Sequence, residues 1–346
     1  MAAPAGNVDQ PLLVDAFGRI ATDLRISLTD KCSLRCTYCM PAEGLAWLAK
    51  DEVLTVDELV RLAGLFVGLG ITSIRLTGGE PLVYPGVVSV VERLAALRPR
   101  PELSLTTNGV TLDRHAMALT VAGLDRINIS LDTLDPARFA ALTRRDRHAD
   151  VLAGIAAAAA AGLAPLKINA VLVRGSNLDE APELLGWALR RGYQMRFIEH
   201  MPLDADHLWN REEMVTAEET LAVLRRDFDI VAVDRRAHAP AEEFEVVGGP
   251  DSGEWLQTPG RLGVIASVTR PFCRECDRLR LTADGQLRTC LFAQDETDLR
   301  GPIRAGAADA ELADIVRSAV AGKQAGHGIG SAEFVQPVRT MSAIGG

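Results

Sequence analysis

Between Leu24 and Met201 the chain alternates short β-rich runs with longer stretches of helical period. LRISLT, ITSIRLT, ELSLTT, RINISLD, LKINAVLV and MRFIEHM are rich in Val, Ile, Leu and Thr and read as strands. Between them TVDELVRLAGLFVGLG, GVVSVVERLAAL, DRHAMALTVAG, HADVLAGIAAAAAAG and DEAPELLGWALRRG are apolar at helical spacing and mostly end in glycine. Each connection is long enough to cross a sheet, so the repeated unit predicts parallel strands with right-handed crossovers. Polar residues gather at the strand ends: TDKC after the first, TGGE after the second, TTNG after the third, SLD at the fourth, Lys167 within the fifth and EHM after the sixth. In a barrel those ends converge on one mouth. The pattern therefore favours an α/β fold built as an open six-unit barrel, with a doubly wound sheet as the alternative.

After Pro202 the alternation stops. WNREEMVTAEETLAVLRRDF predicts one more helix, HAPAEEFEVVGGPDSGEW an acidic, strand-rich cover, and RLGVIASVT a strand. In CRECDRLRLTADGQLRTC the pair Asp284-Gly285 between alternating runs is a hairpin signal. AADAELADIVRSAVAG predicts a last helix before a tail ending in Gly345-Gly346. The expected organisation is a flexible segment over 1–16, a barrel over 17–240 and a C-terminal region over 241–346.

Composition narrows the partners. The 346 residues are 48% hydrophobic and 24% charged with a net charge of -9, an ordinary acidic globular chain. Broad electrostatic binding to nucleic acid is excluded, and an anionic ligand would need a local concentration of arginine or lysine. MAAPAGNVDQ lacks a signal-peptide pattern. The longest apolar run, VLAGIAAAAAAGLAPL, is mostly alanine and is interrupted by Gly162 and Pro165, so it reads as a soluble helix. A cytoplasmic protein without membrane contact is expected. In a reducing compartment the six cysteines point to metal or thiol chemistry ahead of disulfides.

Cys32, Cys36 and Cys39 are spaced C-x3-C-x2-C. Lys31, Ser33, Arg35 and Thr37 make this stretch too polar for a buried helix face, and no adjacent Cys or His offers a structural zinc its fourth ligand. Three thiolates on an iron–sulfur cluster would leave one iron open to a ligand. Cys273, Cys276 and Cys290 form a second group of three, C-x2-C-x13-C, across the hairpin. A zinc ribbon would need two C-x2-C pairs. One four-cysteine site with two cysteines spare, or two zinc sites in an interaction module, are the competing arrangements.

With Tyr38 before its last cysteine, the first group resembles the signature of radical S-adenosylmethionine (SAM) enzymes, and TGGEP (77–81) resembles their glycine-rich SAM contact. RISLTDKCSLRCTYCMP, IRLTGGEPL, LTTNG, INISLD, LKINAV, RFIEHMPL, CRECDRLRLTADGQLRTCL and the terminal Gly-Gly together resemble one family, the GTP 3',8-cyclases that begin molybdenum-cofactor biosynthesis. That resemblance spans about residues 17–346 in the expected order. It implies an incomplete (β/α)6 TIM-type barrel of the radical SAM superfamily, with a C-terminal extension carrying a second cluster. It also implies a lyase that converts GTP to 3',8-cyclo-7,8-dihydro-GTP through a 5'-deoxyadenosyl radical, which takes hydrogen from C3' before that carbon attacks C8. Another two-cluster radical SAM enzyme, for example one acting on a peptide, is the runner-up.

Carried to matching positions, the resemblance places a 4Fe-4S cluster on Cys32, Cys36 and Cys39, and SAM against Tyr38, Gly79, Ser130 and Met201. A second 4Fe-4S cluster falls to Cys273, Cys276 and Cys290, its open iron facing guanine. Arg25, Arg75, Thr106, Lys167, Arg278, Leu279 and Arg280 match GTP-contacting positions, with Arg278, Arg280, Gly345 and Gly346 also implied in catalysis. Arginine forks suit a triphosphate, and the chain has no Walker-type loop to do that work. Lys167 lies in an apolar strand where an unpaired charge would be costly, which favours a ligand-facing role. Asp30, Glu80, Asn108 and Asp132 fall at strand ends without a clear division between support and catalysis. The partners implied are GTP, an external electron donor and the downstream cyclic pyranopterin monophosphate synthase, with the protein a monomer or homodimer. Val83 and Tyr84 stand where the family often has an arginine, so no role is carried to them.

Overall fold

The computed structural model describes residues 12–234, 238–250, 253, 259–331 and 333–345. Its sheet is built on six parallel strands that follow one another in chain order: β1 (Asp23–Ser27), β2 (Ser73–Thr77), β3 (Glu102–Thr107), β4 (Arg126–Ser130), β5 (Lys167–Leu172) and β6 (Gln194–Glu199). The first and last of them do not pair, so the barrel is open. Both free edges are taken by the C-terminal region. β9 (Gly260–Ile265) pairs parallel with β6 and carries β8 (Glu242–Gly248) and β7 (Asp229–Ala232) beyond it. On the other side β10 (Arg278–Leu281) pairs parallel with β1 and continues through β11 (Gln286–Arg288) to β12 (Thr297–Asp298). Gly285, at φ +77°, closes the predicted β10–β11 hairpin.

Side-chain alternation along these strands explains how a polar interior is tolerated. Leu24, Ile26, Ile74, Leu76, Ile127, Ile129, Ile168 and Ala170 are completely buried in the core. Each large aliphatic so buried contributes roughly 1.5–3 kcal/mol. Intervening positions on the same strands, among them Arg25, Arg75, Thr106, Ser130, Asn169 and Arg196, line a central cavity. Stability resides on one face of each strand, which leaves the other free for chemistry.

The outer helices are α1 (Val56–Gly68), α2 (Val87–Ala95), α3 (Leu112–Ala122), α4 (Pro136–Thr143), α5 (His148–Ala160) and α6 (Ala181–Arg190). Thr55 and Glu58 form a capping box that starts α1. Helix α4 is not among the predicted helices, since its eight residues are too few for a clear period. Its signal was local: Asp135 accepts from the amides of Ala137 and Arg138, and Pro136 occupies the first turn. The helix predicted over 209–228 is shorter, α7 at Ala217–Leu224, because the Thr216–Glu219 capping box fixes its start. Of the segment expected to be flexible, residues 1–11 lie outside the described residues, whereas Leu13 and Asp15 are buried.

Candidate active site

The loop after β1 carries Cys32, Cys36 and Cys39 and rests on the glycines after β2. A Cβ added at Gly78 would stand 2.4 Å from the Thr29 carbonyl oxygen, and one at Gly79 would stand 2.4 Å from the carbonyl oxygens of both Asp30 and Lys31. The amides of Gly79 and Glu80 donate to Thr29 O and Lys31 O at 2.7 and 2.8 Å. The two glycines are thus required by close backbone approach, whatever ligand they also meet. Glu80 is buried and its carboxylate accepts from Leu82 N at 2.9 Å, Thr107 Oγ1 at 2.7 Å and Asn108 N at 2.6 Å. Burial pushes this carboxyl up to about 7 despite those bonds. Its three bonds clamp the ends of β2 and β3 together, which is a supporting role.

Two donors point at the first thiol: Leu34 N lies 3.4 Å and Asn108 Nδ2 3.7 Å from Cys32 Sγ. Burial raises Cys32 to about 11 and Cys39 to about 12, and pushes Cys36 upward as well, with neighbouring anionic groups adding to the effect. Tyr38 donates to Asp132 Oδ2 at 2.6 Å, and Asp132 Oδ1 accepts from Val171 N at 2.9 Å, so the tyrosine between two cysteines is tied to β5.

Across the cavity, Cys273, Cys276 and Cys290 surround the base of the β10–β11 hairpin. Lys323 Nζ donates to Cys276 O and Arg278 O, both at 2.9 Å, and lies 3.7 Å from Cys276 Sγ. Burial alone would raise the Cys276 thiol, but Arg278 and Lys323 bring it below its ordinary value. Arg19 Nη1 donates to Cys273 O at 2.7 Å, and His327 Nε2 lies 3.0 Å from Ser267 O. Arg19, Lys323 and His327 went unnoticed in the sequence because each lies far along the chain from the cysteine loop it supports.

Between the two groups runs a row of cations. In-register pairing sets Arg280 on β10 beside Arg25 on β1, and Arg25 beside Arg75 on β2. Arg278 stands two residues along, its guanidinium 4.4 Å from the Phe272 ring centroid. Arg25 Nε, Arg75 Nε, and Arg278 Nε and Nη2 are buried without a hydrogen-bond partner among the described residues. Burial followed by the Arg75 charge holds Arg25 down to about 9, and burial holds Arg75 down to about 10. Arg280 is also pushed below its ordinary value by burial and by Arg25. Asp23, 3.7 Å from Arg25 Nε, offsets little of this. Such a cluster is short of negative charge and suits a multiply charged anion.

All six cysteines, Tyr38, Gly79, Thr106, Ser130, Met201 and these four arginines line one cavity of about 330 Å³. Leu279 does not reach it: its side chain is fully buried in the core, so a ligand could meet only its main chain. Lys167 is buried outside the lining and is not without a partner, so the cost expected of an unpaired charge does not arise. Gly345 lies near Thr77, Ser27 and Gly78, and its carbonyl accepts from Arg280 Nη1. Gly346 lies outside the described residues.

The donor sets suit iron–sulfur clusters. The six thiols are unbridged and reach one cavity, and hydrogen-bond donors are aimed at Cys32 and Cys276. Buried thiols raised this far ionise only beside strong positive charge, which iron supplies. Among the described residues no three His, Cys, Asp or Glu side chains are gathered as a single ion would need. No helix among the described residues is long and apolar enough to cross a membrane.

Comparison with known proteins agrees with this geometry. Residues 26–188 match the Radical SAM superfamily and residues 193–329 match Molybdenum Cofactor Synthesis C. A GTP 3',8-cyclase of Streptomyces coelicolor is 60% identical over 338 residues, covering 97% of this chain and 96% of that one. A GTP 3',8-cyclase of Mycolicibacterium smegmatis is 57% identical over 346 residues, covering 99% and 93%. Among solved structures, Streptococcus suis SuiB bound to precursor peptide SuiA aligns with a TM-score of 0.59 at 14% identity, over 94% of this chain and 77% of that one. At that identity the likeness concerns the fold alone.

Proposed function

The chain belongs to the GTP 3',8-cyclase family, and from that premise we propose that it converts GTP to 3',8-cyclo-7,8-dihydro-GTP, the first step of molybdenum-cofactor biosynthesis. Membership brings SAM and iron–sulfur binding in general; the finer assignment is two 4Fe-4S clusters, one on Cys32, Cys36 and Cys39 and one on Cys273, Cys276 and Cys290. When bound, the first cluster and SAM supply radical chemistry directed at C3' of GTP. The observation that carries the reading is the row of partner-poor arginines inside a cavity edged by two incomplete sets of thiols.

In this reading Arg25, Arg75 and Arg278 hold the triphosphate with hydrogen bonds that these groups do not find within the protein, and Arg280, already bonded to the Gly345 carbonyl, adds its charge beside them. Thr106 and the main chain of Leu279 add contacts, and Lys167 contributes positive potential from below. Tyr38, Gly79, Ser130 and Met201 hold SAM. The Tyr38–Asp132 bond orients the loop between two ligands, and the amide donors at Cys32 stabilise its thiolate. Gly345 closes the cavity beside Arg280, and walls lined by apolar residues keep out water that would quench a radical. We place the barrel at 17–240, preceded by the 1–16 segment, and the second-cluster region at 241–346. The setting is cytoplasmic, with an external electron donor and a downstream cyclic pyranopterin monophosphate synthase as partners.

The test is anaerobic reconstitution, iron counting, and incubation with GTP, SAM and a strong reductant. About eight irons per chain are expected for two cubanes. About four would remove the second cluster, and zinc without iron would favour an interaction module. A product mass that does not depend on added GTP would point to a different substrate.

A further inference from the structure

The last stretch of chain reaches the cavity through a segment without regular structure. Residues 333–340 contain no helix or strand, and Val335 and Val338 are 65% and 89% exposed. Phe334 edge-on to Phe292, the buried Pro337 and the Gln336 Nε2 bond to Asp204 O anchor the start of this approach, which leaves the residues just before the inward turn to polar contacts. Beyond it the chain turns inward: Met341 N donates to Leu203 O, Ile344 is fully buried beside Leu203 and Phe292, and Gly345 places its carbonyl against Arg280. Residues Met341–Ile344 make only a single helical turn, too short to hold its own shape.

At the point of turning sits Arg339. Its Nη1 and Nη2 grip Asp284 Oδ1 and Oδ2 at 3.0 and 2.7 Å, and its Nε lies 2.7 Å from Glu296 Oε1. Asp284 is buried in the turn of the β10–β11 hairpin, where Thr282 Oγ1 also donates to it at 2.6 Å. Glu296 in turn pairs with Arg288 of β11, whose side chain is almost wholly enclosed. The hairpin gripped by Arg339 is the one that carries Arg280 on its first strand. Both partners of the Gly345–Arg280 contact are thereby fixed to one ion network. A bidentate fork sets direction as well as distance, which a lysine cannot do.

We propose that Arg339 is a positioning residue for this reaction: by clamping the tail to the β10–β11 hairpin it sets the depth at which Gly345 meets Arg280. The role in the reaction rests on the cavity being the cyclase site; the clamp itself does not.

The experiment compares the cluster-loaded protein with its Arg339→Gln and Arg339→Lys variants. Hydrogen–deuterium exchange of the 340–345 amides reads the clamp, and GTP cyclisation and SAM cleavage read its consequence. In Arg339→Gln those amides are expected to exchange roughly ten- to hundredfold faster, the change given by losing charged hydrogen bonds of ordinary strength. Iron content and amide protection in β1–β6 should stay at the parental level. The turnover number for cyclisation should fall, with 5'-deoxyadenosine formed in excess over product. Arg339→Lys, which keeps the charge and loses the fork, should lie between and serves as the test if the glutamine variant does not fold. Unchanged exchange at 340–345 would overturn the clamp, and faster exchange with parental turnover would overturn its part in the reaction. A parental protein inactive on GTP would instead refute the proposed function, while the exchange comparison would still decide the clamp.

Discussion

Arg25→Met should make the protein more stable and less able to hold GTP. The side chain is only 12% exposed, and burial, followed by Arg75 and later Arg278, takes its guanidinium from its ordinary value down to about 9. A depression of that size means the charged form costs the folded state roughly 4–5 kcal/mol at neutral pH. Methionine keeps much of the apolar stem and loses only the loose contact to Asp23 at 3.7 Å. After an allowance for screening and imperfect packing, a gain of roughly 2–3 kcal/mol is expected, or about 3–6 °C in Tm. GTP affinity should fall by roughly thirtyfold or more with the loss of charged phosphate contacts. The sign with pH follows from the direction of the shift. Because the folded value lies below the unfolded one, the unfolded chain holds more protons from about pH 9 up to the ordinary arginine value, so the parent gains stability from this group as pH rises through that window. The advantage of the variant should therefore be full at pH 7 and shrink above pH 9. Anaerobic thermal melts at several pH values, with calorimetric titration of GTP, provide the assay. A variant less stable than the parent at pH 7, or a difference independent of pH, would refute the reasoning.

Other consequences are equally direct. Gly79→Ala forces a Cβ against carbonyl oxygens at 2.4 Å, and backbone there must move by roughly 0.6–1 Å to relieve it. Because that backbone leads into Cys32, iron should fall from about eight to about four per chain; retention of all iron with weaker SAM binding alone would mean that Gly79 only touches SAM. Cys290→Ser should abolish cyclisation while SAM cleavage stays measurable, read as 5'-deoxyadenosine without cyclised product. Persistence of both activities would remove the second site from catalysis.

The barrel was legible because each strand announces its burial through Val, Ile and Leu and most of the predicted helices end on a glycine. Less visible was the arrangement of the arginines, since the pairing of Arg280, Arg25 and Arg75 joins β10, β1 and β2 from remote parts of the chain. Motif spacing located the cysteines but could not assign Glu80, whose three hydrogen bonds come from residues brought together by β3 and the turn after β2. Nor could it separate Leu279 from its neighbours: a run of consecutive matching residues on a strand alternates faces, and Leu279 faces the core while Arg278 and Arg280 face the cavity. Arg339 has no local signal at all, because its partners Glu296 and Asp284 lie 43 and 55 residues away along the chain.

The central claim, that radical chemistry begins at C3' of a GTP held by the arginine row, is tested most directly with GTP deuterated at C3'. The reconstituted protein is incubated anaerobically with this substrate, SAM and reductant, and the 5'-deoxyadenosine is analysed by mass spectrometry. Deuterium in the 5'-deoxyadenosine, formed together with a cyclised product, is the predicted result. Unlabelled 5'-deoxyadenosine alongside intact GTP would contradict it.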